Sequence, residues 1–376
     1  MIFKKGELFN GPGGFAWGAK HAKVIHPVTN EVFTIEHTWS NDYCDSACDT
    51  YIHNICPDRP ETVHRGDVRA LKINELEKID AFIYGFPCND FSLVGEKKGF
   101  DGTFGPLYSY GIQVLNHHNP KWFIAENVGG LQSANDGKAF VKILTEMSEA
   151  GKFGGYRLTP HLYNFADYGV PQSRQRILIV GIRKDLNKEF KVPAPTHGPG
   201  REFPYETAFD ALMKDPLEAD APNHYIPVHR PHVVEFLKHI PEGQNAWYEG
   251  IPEELRLKVK GAKMSQIYRR LDRNSPSYTV TGSGGGGTHM YHWEEPRALS
   301  NRERARLQTF PDDFVFMGTK EKVRQQVGMA VPPKGAKMIL EAVLKTYAGI
   351  DYDHVPSKWN IDDMLQKSHM EELVLL

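Results

Sequence analysis

Ala81-Phe82-Ile83-Tyr84 is a short apolar run followed closely by Pro87-Cys88-Asn89-Asp90-Phe91-Ser92, and Phe123-Ile124-Ala125 leads into Glu126-Asn127-Val128. Short apolar runs of this kind, bounded by turn residues, read as buried strands of a parallel sheet. If the two strands are neighbours, a Cys at the end of one and a Glu at the end of the other share the carboxyl edge of the sheet. Open α/β folds place their chemistry at that edge. A thiolate nucleophile beside a carboxyl proton donor is already a reaction in outline.

Upstream, Lys5-Gly6-Glu7-Leu8-Phe9 reads as a strand entering Asn10-Gly11-Pro12-Gly13-Gly14-Phe15, with a helix from Ala16 to His21. Such a glycine turn lets backbone approach a ligand closely, and the helix N-terminus adds partial positive charge. The next strand is expected at Val32-Phe33-Thr34-Ile35, with Asp42 in Asn41-Asp42-Tyr43 placed where a Rossmann-like site holds a ribose hydroxyl. Asp67, in His64-Arg65-Gly66-Asp67-Val68, offers a second carboxylate suited to an exocyclic amine such as that of adenine. Each Asp alone also reads as a solvated turn residue. Their order along alternating βα units favours the ligand reading. Cys44, Cys48 and Cys56, near His53 and His64, contain no CxxC pair. They read instead as small apolar residues of a helix after the second strand, with Cys44 and Cys48 on one face.

A chain of 376 residues exceeds what one core usually organises, so two lobes are expected. Lys+Arg 45 against Asp+Glu 47 leaves a formal net charge of -2, which excludes a general polycation and makes any nucleic-acid surface local. Four cysteines make no disulfide framework and fit a reducing compartment. With no leader and no long apolar stretch, the expectation is a cytoplasmic protein without a membrane partner.

Taken together in order, the blocks resemble the DNA (cytosine-5)-methyltransferase family of bacterial restriction-modification systems. They are Phe9-Asn10-Gly11-Pro12-Gly13-Gly14, Asp42 and Asp67, Pro87 to Ser92, Glu126-Asn127-Val128, Gln172-Ser173-Arg174-Gln175-Arg176, Arg297 through Gln308, and Gly328-Met329-Ala330-Val331-Pro332-Pro333. The resemblance implies an α/β fold: a Rossmann-like S-adenosylmethionine-dependent methyltransferase sheet with a smaller target-recognition domain. It implies a catalytic and cofactor-binding domain over residues 1–185, completed by 324–376, with target recognition and a hinge over 186–323. S-adenosyl-L-methionine is the implied cofactor and S-adenosyl-L-homocysteine its product. The implied cofactor contacts are Phe9, Asn10, Gly11, Gly13, Gly14, Asp42, Tyr43, Asp67, Val68, Pro87, Leu107, Met329 and Ala330.

Cytosine C5 is a poor nucleophile. The resemblance therefore gives Cys88 the role of adding to C6, Glu126 that of a proton-sharing acid at N3, and Arg176, with Arg174, that of holding the O2 side of the ring. Attack at C6 must come perpendicular to a ring face that stacking covers, so the base must leave the helix. Leu93 to Phe104, with Lys97 and Lys98, is similar to the family's closing catalytic loop. Two departures stand out: Asn89 follows the nucleophile where Gln is usual, and Met329 follows Gly328 where Asn is usual.

From Arg183 to about Ser275 the sequence turns rich in Pro, His and charge, without βα alternation. In the family this segment faces the major groove, where Arg, Lys, Asn and Gln read base edges. Arg230, Lys238, Arg256, Lys258, Lys260, Lys263, Arg269, Arg270 and Arg273 all qualify, and phosphate and base contacts look alike in sequence. The implied partner is double-stranded DNA, with a cognate restriction endonuclease acting on the same site, and the expected state is a monomer. Transfer RNA cytosine methylation and a catalytically silent DNA-binding relative remain the alternatives. Ile361 to Leu376 reads as an amphipathic helix on the large lobe.

Overall fold

The computed structural model of the chain describes residues 1–86, 107–258, 264–282, 286–361 and 363–364. These fall within two compact units, one comprising Met1–Asn164, Gln175–Ala194 and Ala336–Leu376 and the other Phe165–Arg174 and Pro195–Gly335. No helix among the described residues is long and apolar enough to cross a membrane.

The first unit follows the βα alternation: β1 (Ile2–Leu8), α1 (Gly14–His21), β2 (Lys23–Ile25), β3 (Val32–Asp42), α2 (Asp45–Ile55), β4 (Val63–Arg65), β5 (Ala81–Gly85), α3 (Tyr108–His118), β6 (Trp122–Val128), α4 (Lys138–Glu149), β7 (Tyr156–Asn164) and β8 (Gln175–Arg183). The sheet order is β2-β3-β1-β5-β6-β8-β7, with β4 alongside β3. Strands β3, β1, β5 and β6 are mutually parallel. At the far side β8 runs antiparallel to β6, and β7 antiparallel to β8. This is the Rossmann-like arrangement that the sequence leads one to expect. The strand Ala81-Phe82-Ile83-Tyr84 is wholly buried, as a parallel strand covered on both faces must be. On α4, Ala139, Phe140, Ile143, Leu144 and Met147 form a buried stripe that packs into the same core as Phe82, Tyr84 and Phe123.

After β1 the chain builds one side of the sheet through β3 and returns to the other through β5, so the carboxyl ends of β1 and β5 flank the point where the strand order reverses. The ends are Leu8 and Gly85, with Asp42 ending β3. Strand β3 runs further than the apolar pattern Val32–Ile35 suggests. Its last residues include Ser40 and Asn41, polar yet buried, which pair with Glu7 and Leu8.

Further along are β9 (Val192–Pro193), α5 (Ala208–Met213), α6 (Pro231–Lys238), α7 (Asn301–Leu307), α8 (Lys320–Met329), α9 (Pro333–Ala348) and β10 (His354–Val355), which pairs with β9. Ile361 and Met364 pack against the first unit's core, while the remainder of the expected terminal helix lies outside the described residues.

The second unit is mostly loops around a core of Phe236, Leu237, Ile240, Ala246, Ile251, Tyr291 and Ala298. Loops packed this tightly leave carbonyls without sheet partners, and buried arginines supply the donors. Arg270 donates to the carbonyls of Leu237, Ile240, His292 and Glu295 at 2.8–3.1 Å. Arg302, fully buried, donates to those of Pro222, Pro311 and Phe314.

Candidate active site

Strands β5 and β6 set the central geometry. Gly85 is in register with Glu126, which places the carboxylate beside the last residue of β5, two residues before Pro87. The fit is close: a Cβ on Gly85 would lie 3.1 Å from Glu126 Oε2. On the other side of β6, Val128 pairs with Arg176 at the start of β8. The Arg176 Nε meets Glu126 Oε1 at 2.9 Å, and both side chains retain 15% exposure. Arg176 Nη1 also donates to the Gln175 carbonyl at 2.7 Å. A carboxylate and a guanidinium are thus fixed against each other at the carboxyl edge, shielded but open enough for a ligand to reach. Asn127, which carried no separate assignment, is buried. Its Nδ2 donates to the Phe86 carbonyl at 3.4 Å and so ties β6 to the chain entering Pro87-Cys88. Pro87, Cys88, Asn89 and the expected catalytic loop with Lys97 and Lys98 lie outside the described residues.

The glycine turn is built at the end of β1. Phe9 takes a left-handed conformation, and Gly11 and Gly13 have φ of +51° and +98°. Gly13 is the N-cap of α1 and brings no side-chain cap, so the first N–H groups of the helix are left to other acceptors. The fully buried Tyr51 ring leaves a Gly13 Cβ only 3.0 Å of room. Asn10 is buried: its Nδ2 donates to the Gly11 carbonyl at 2.6 Å, while Oδ1 has no partner among the described residues.

Asp42 closes the turn from beneath. One carboxylate oxygen accepts the Gly11 N–H at 2.8 Å and the other the Cys44 N–H at 2.9 Å. Burial pushes its carboxyl up, against the pull of those N–H groups. Asn41, a buried residue the sequence did not single out, donates to the carbonyls of His64 and Gly66 and so fixes the turn that carries Asp67. Gly66 N–H meets the Asp42 carbonyl at 3.0 Å, drawing the two acidic segments together. Asp67 is exposed and caps its own turn through Arg69 N–H, whereas Val68 is buried. Tyr43 is 79% exposed beside them. Leu107, before α3, and Phe9 both pack into the core beneath this edge.

Helix α2 forms where the cysteine spacing suggests, with Cys44 as its N-cap and Cys48 buried. Burial pushes the Cys48 thiol up to about 12 and raises Cys56 as well, which leaves both as poor nucleophiles.

Arg174 and Arg176, two residues apart, have different surroundings. Arg174 belongs to the second unit and is fully buried, donating to the carbonyls of Val280 and Gly328 at 3.0 and 2.9 Å. Its guanidinium braces loops. Met329, exposed at the end of α8, and the buried Ala330 belong to the same unit. Among the proposed base readers, Arg270 is consumed by carbonyls, Arg256 donates to those of Ile251 and Glu249, and Arg273 pairs with Glu242. Lys260 and Lys263 lie outside the described residues.

A parallel core with a glycine turn at β1 and a carboxylate–guanidinium pair at β6 and β8 defines a Rossmann-like α/β protein with its candidate site at the carboxyl edge of the sheet. The family model described as C-5 cytosine-specific DNA methylase matches residues 3–345. The chain is 62% identical over 377 residues to the Type II methyltransferase M.BbvI of Brevibacillus brevis, spanning 99% of both chains. It is 39% identical to M.NgoFVII of Neisseria gonorrhoeae, over 91% of this chain and 86% of that one. Among solved structures, a putative DNA modification methyltransferase encoded within an E. coli prophage aligns with a TM-score of 0.68 at 22% identity, over 92% of this chain and 99% of that one, and shares the fold. The chain belongs to the C-5 cytosine-specific DNA methylase family and is a DNA (cytosine-5-)-methyltransferase.

Proposed function

We propose that the protein methylates C5 of a cytosine turned out of duplex DNA, with Cys88 as the transient nucleophile. The observation that carries this is the Glu126–Arg176 pair, set beside Gly85 only a few residues before Cys88. In this reading the Cys88 thiolate bonds to C6 and the ring's electron pair moves toward C5, with Glu126 sharing a proton at N3. Arg176 holds the acid in place and faces the O2 side. C5 then takes the methyl group, loses its proton to a base, and the C6–sulfur bond breaks to restore both the ring and the thiolate.

The glycine turn suits S-adenosylmethionine, which supplies an electrophilic methyl group when bound. The uncapped N-terminus of α1 matches a carboxylate, exposed Tyr43 offers a face for adenine, and Asp67 an acceptor for its amine. Asp42, with both oxygens on backbone N–H groups, shapes the turn beside the ribose. We assign Arg174 to bracing, and duplex recognition to the second unit. The resemblance and the relatives' names support a place beside a restriction endonuclease cutting the same sequence.

Incubation with tritiated cofactor and mixed-sequence duplex should label cytosine, with excess transfer RNA leaving the label unchanged. DNA carrying 5-fluorocytosine should trap a covalent complex that the Cys88→Ala variant cannot form. A labelled product from Cys88→Ala at the wild-type rate would overturn the mechanism.

A further inference from the structure

The strongest unassigned feature is a group of cations around Thr281 in the second unit. Arg304, on α7, is buried, and its Nη2 donates to the Thr281 carbonyl while its Nε has no hydrogen-bond partner among the described residues. Arg324, on α8, is half-buried, and its Nε too is enclosed without a hydrogen bond to any described residue. The backbone at Thr281–Gly282 lies directly on α8: a Cβ on Gly328 would fall 1.9 Å from Gly282 N, and one on Gly282 2.8 Å from the Gln325 carbonyl. Thr281 itself is exposed, so this packing sits at the surface.

Among the described residues, positive charge here has little to balance it. Burial, and then Arg324, lowers Arg304 to about 10. His289 is pushed down to about 4 by burial, with Arg324 and Arg304 adding to the effect. Glu321, fully exposed one turn earlier on α8, senses Arg324 but is hydrogen-bonded by Thr319. Elsewhere in this unit Arg297 ends on Glu295 and Glu303, and Arg306 on Asp312. An enclosed guanidinium without a counter-charge is costly, and an incoming anion removes that cost.

We propose that Arg324, backed by the positive charge of Arg304, takes a backbone phosphate of the duplex substrate. A guanidinium fork fits phosphate oxygens in a way a lysine does not, and a contact of this kind sets position on the duplex rather than reading bases. The contact rests on double-stranded DNA being the substrate. Arg324 is a binding residue; Arg304 keeps it charged-side outward by occupying the Thr281 carbonyl and repelling it from the interior.

The test is equilibrium binding of a duplex to wild type, Arg324→Gln and Arg324→Lys across a salt series. Loss of one phosphate contact lowers the salt slope by about 0.9, so the affinity lost between about 50 and 200 mM salt shrinks roughly 3.5-fold in Arg324→Gln. Arg324→Lys keeps the slope but binds more weakly than wild type. Cofactor affinity and melting temperature are unchanged in both. Wild-type affinity and slope in Arg324→Gln would overturn the contact, and weakened cofactor binding or lowered melting would reassign the residue to structure. A wild-type chain that binds no duplex would instead overturn the substrate reading.

Discussion

Glu126 and Arg176 lie on neighbouring antiparallel strands, and their contact of 2.9 Å depends on nothing flexible except two side chains. Replacing Arg176 with Gln takes the ion pair from Glu126 and, in the proposed mechanism, removes the donor that faces the ring. Turnover should fall about 10²-fold or more, in the range found when one donor to a developing charge is lost. Cofactor affinity should hold, because the glycine turn and Asp42 are untouched. Single-turnover methylation and cofactor titration measure the two quantities separately, and equal losses in both would place Arg176 in structure. The resemblance offered Arg176, with Arg174, for the O2 side of the ring. Only their surroundings separate them, since Arg174 is enclosed by the carbonyls of Val280 and Gly328, more than a hundred residues downstream. Asn41 and Asn127 escaped notice for the same reason: each acts by joining segments distant in the chain.

At the scale of elements, α7 shows how a motif with no part in bond making can be recognisable in sequence. Ser300 and Glu303 form a reciprocal capping box, Glu303 also receives the fork of Arg297 at 2.8 Å, and Arg302 donates to the carbonyls of three loop residues. Arg302→Met keeps much of the volume but strips those carbonyls of donors. It should cost about 3 kcal/mol or more, as loss of a buried charged donor does, and urea unfolding will read it. A cost below 1 kcal/mol would show that water replaces the guanidinium. The βα alternation was legible because β5 and β6 carry runs of apolar residues between turns. The end of β3 was not, because Ser40 and Asn41 are polar residues buried by pairing with β1. The loops of the second unit gave little pattern, since carbonyl-binding arginines leave no periodicity.

Across the whole molecule, several half-buried imidazoles make stability respond to acid. Burial lowers His37 to about 3 and His161 and His289 to about 4. As pH falls below about 6.5 the unfolded chain gains protons at these sites that the folded chain refuses, so unfolding becomes easier. The loss continues until the folded values near 4 and 3 are reached. Urea midpoints should therefore drop between pH 7 and pH 5, above the range of ordinary carboxylates, and His37→Gln should make the drop shallower. A midpoint constant over that interval would refute the assignment.

Strand β8 enters the sheet between β6 and β7, so the partner of Glu126 comes from a segment the ribosome delivers some fifty residues after the acid itself. A nascent chain that has emerged only as far as β7 holds its carboxylate without the arginine. Because the pair needs both strands, the proposed site is complete only once β8, next to the edge strand β7, has joined β6 in the sheet. Truncations ending before Gln175 should accordingly retain much of the parallel half-sheet and yet be unable to act.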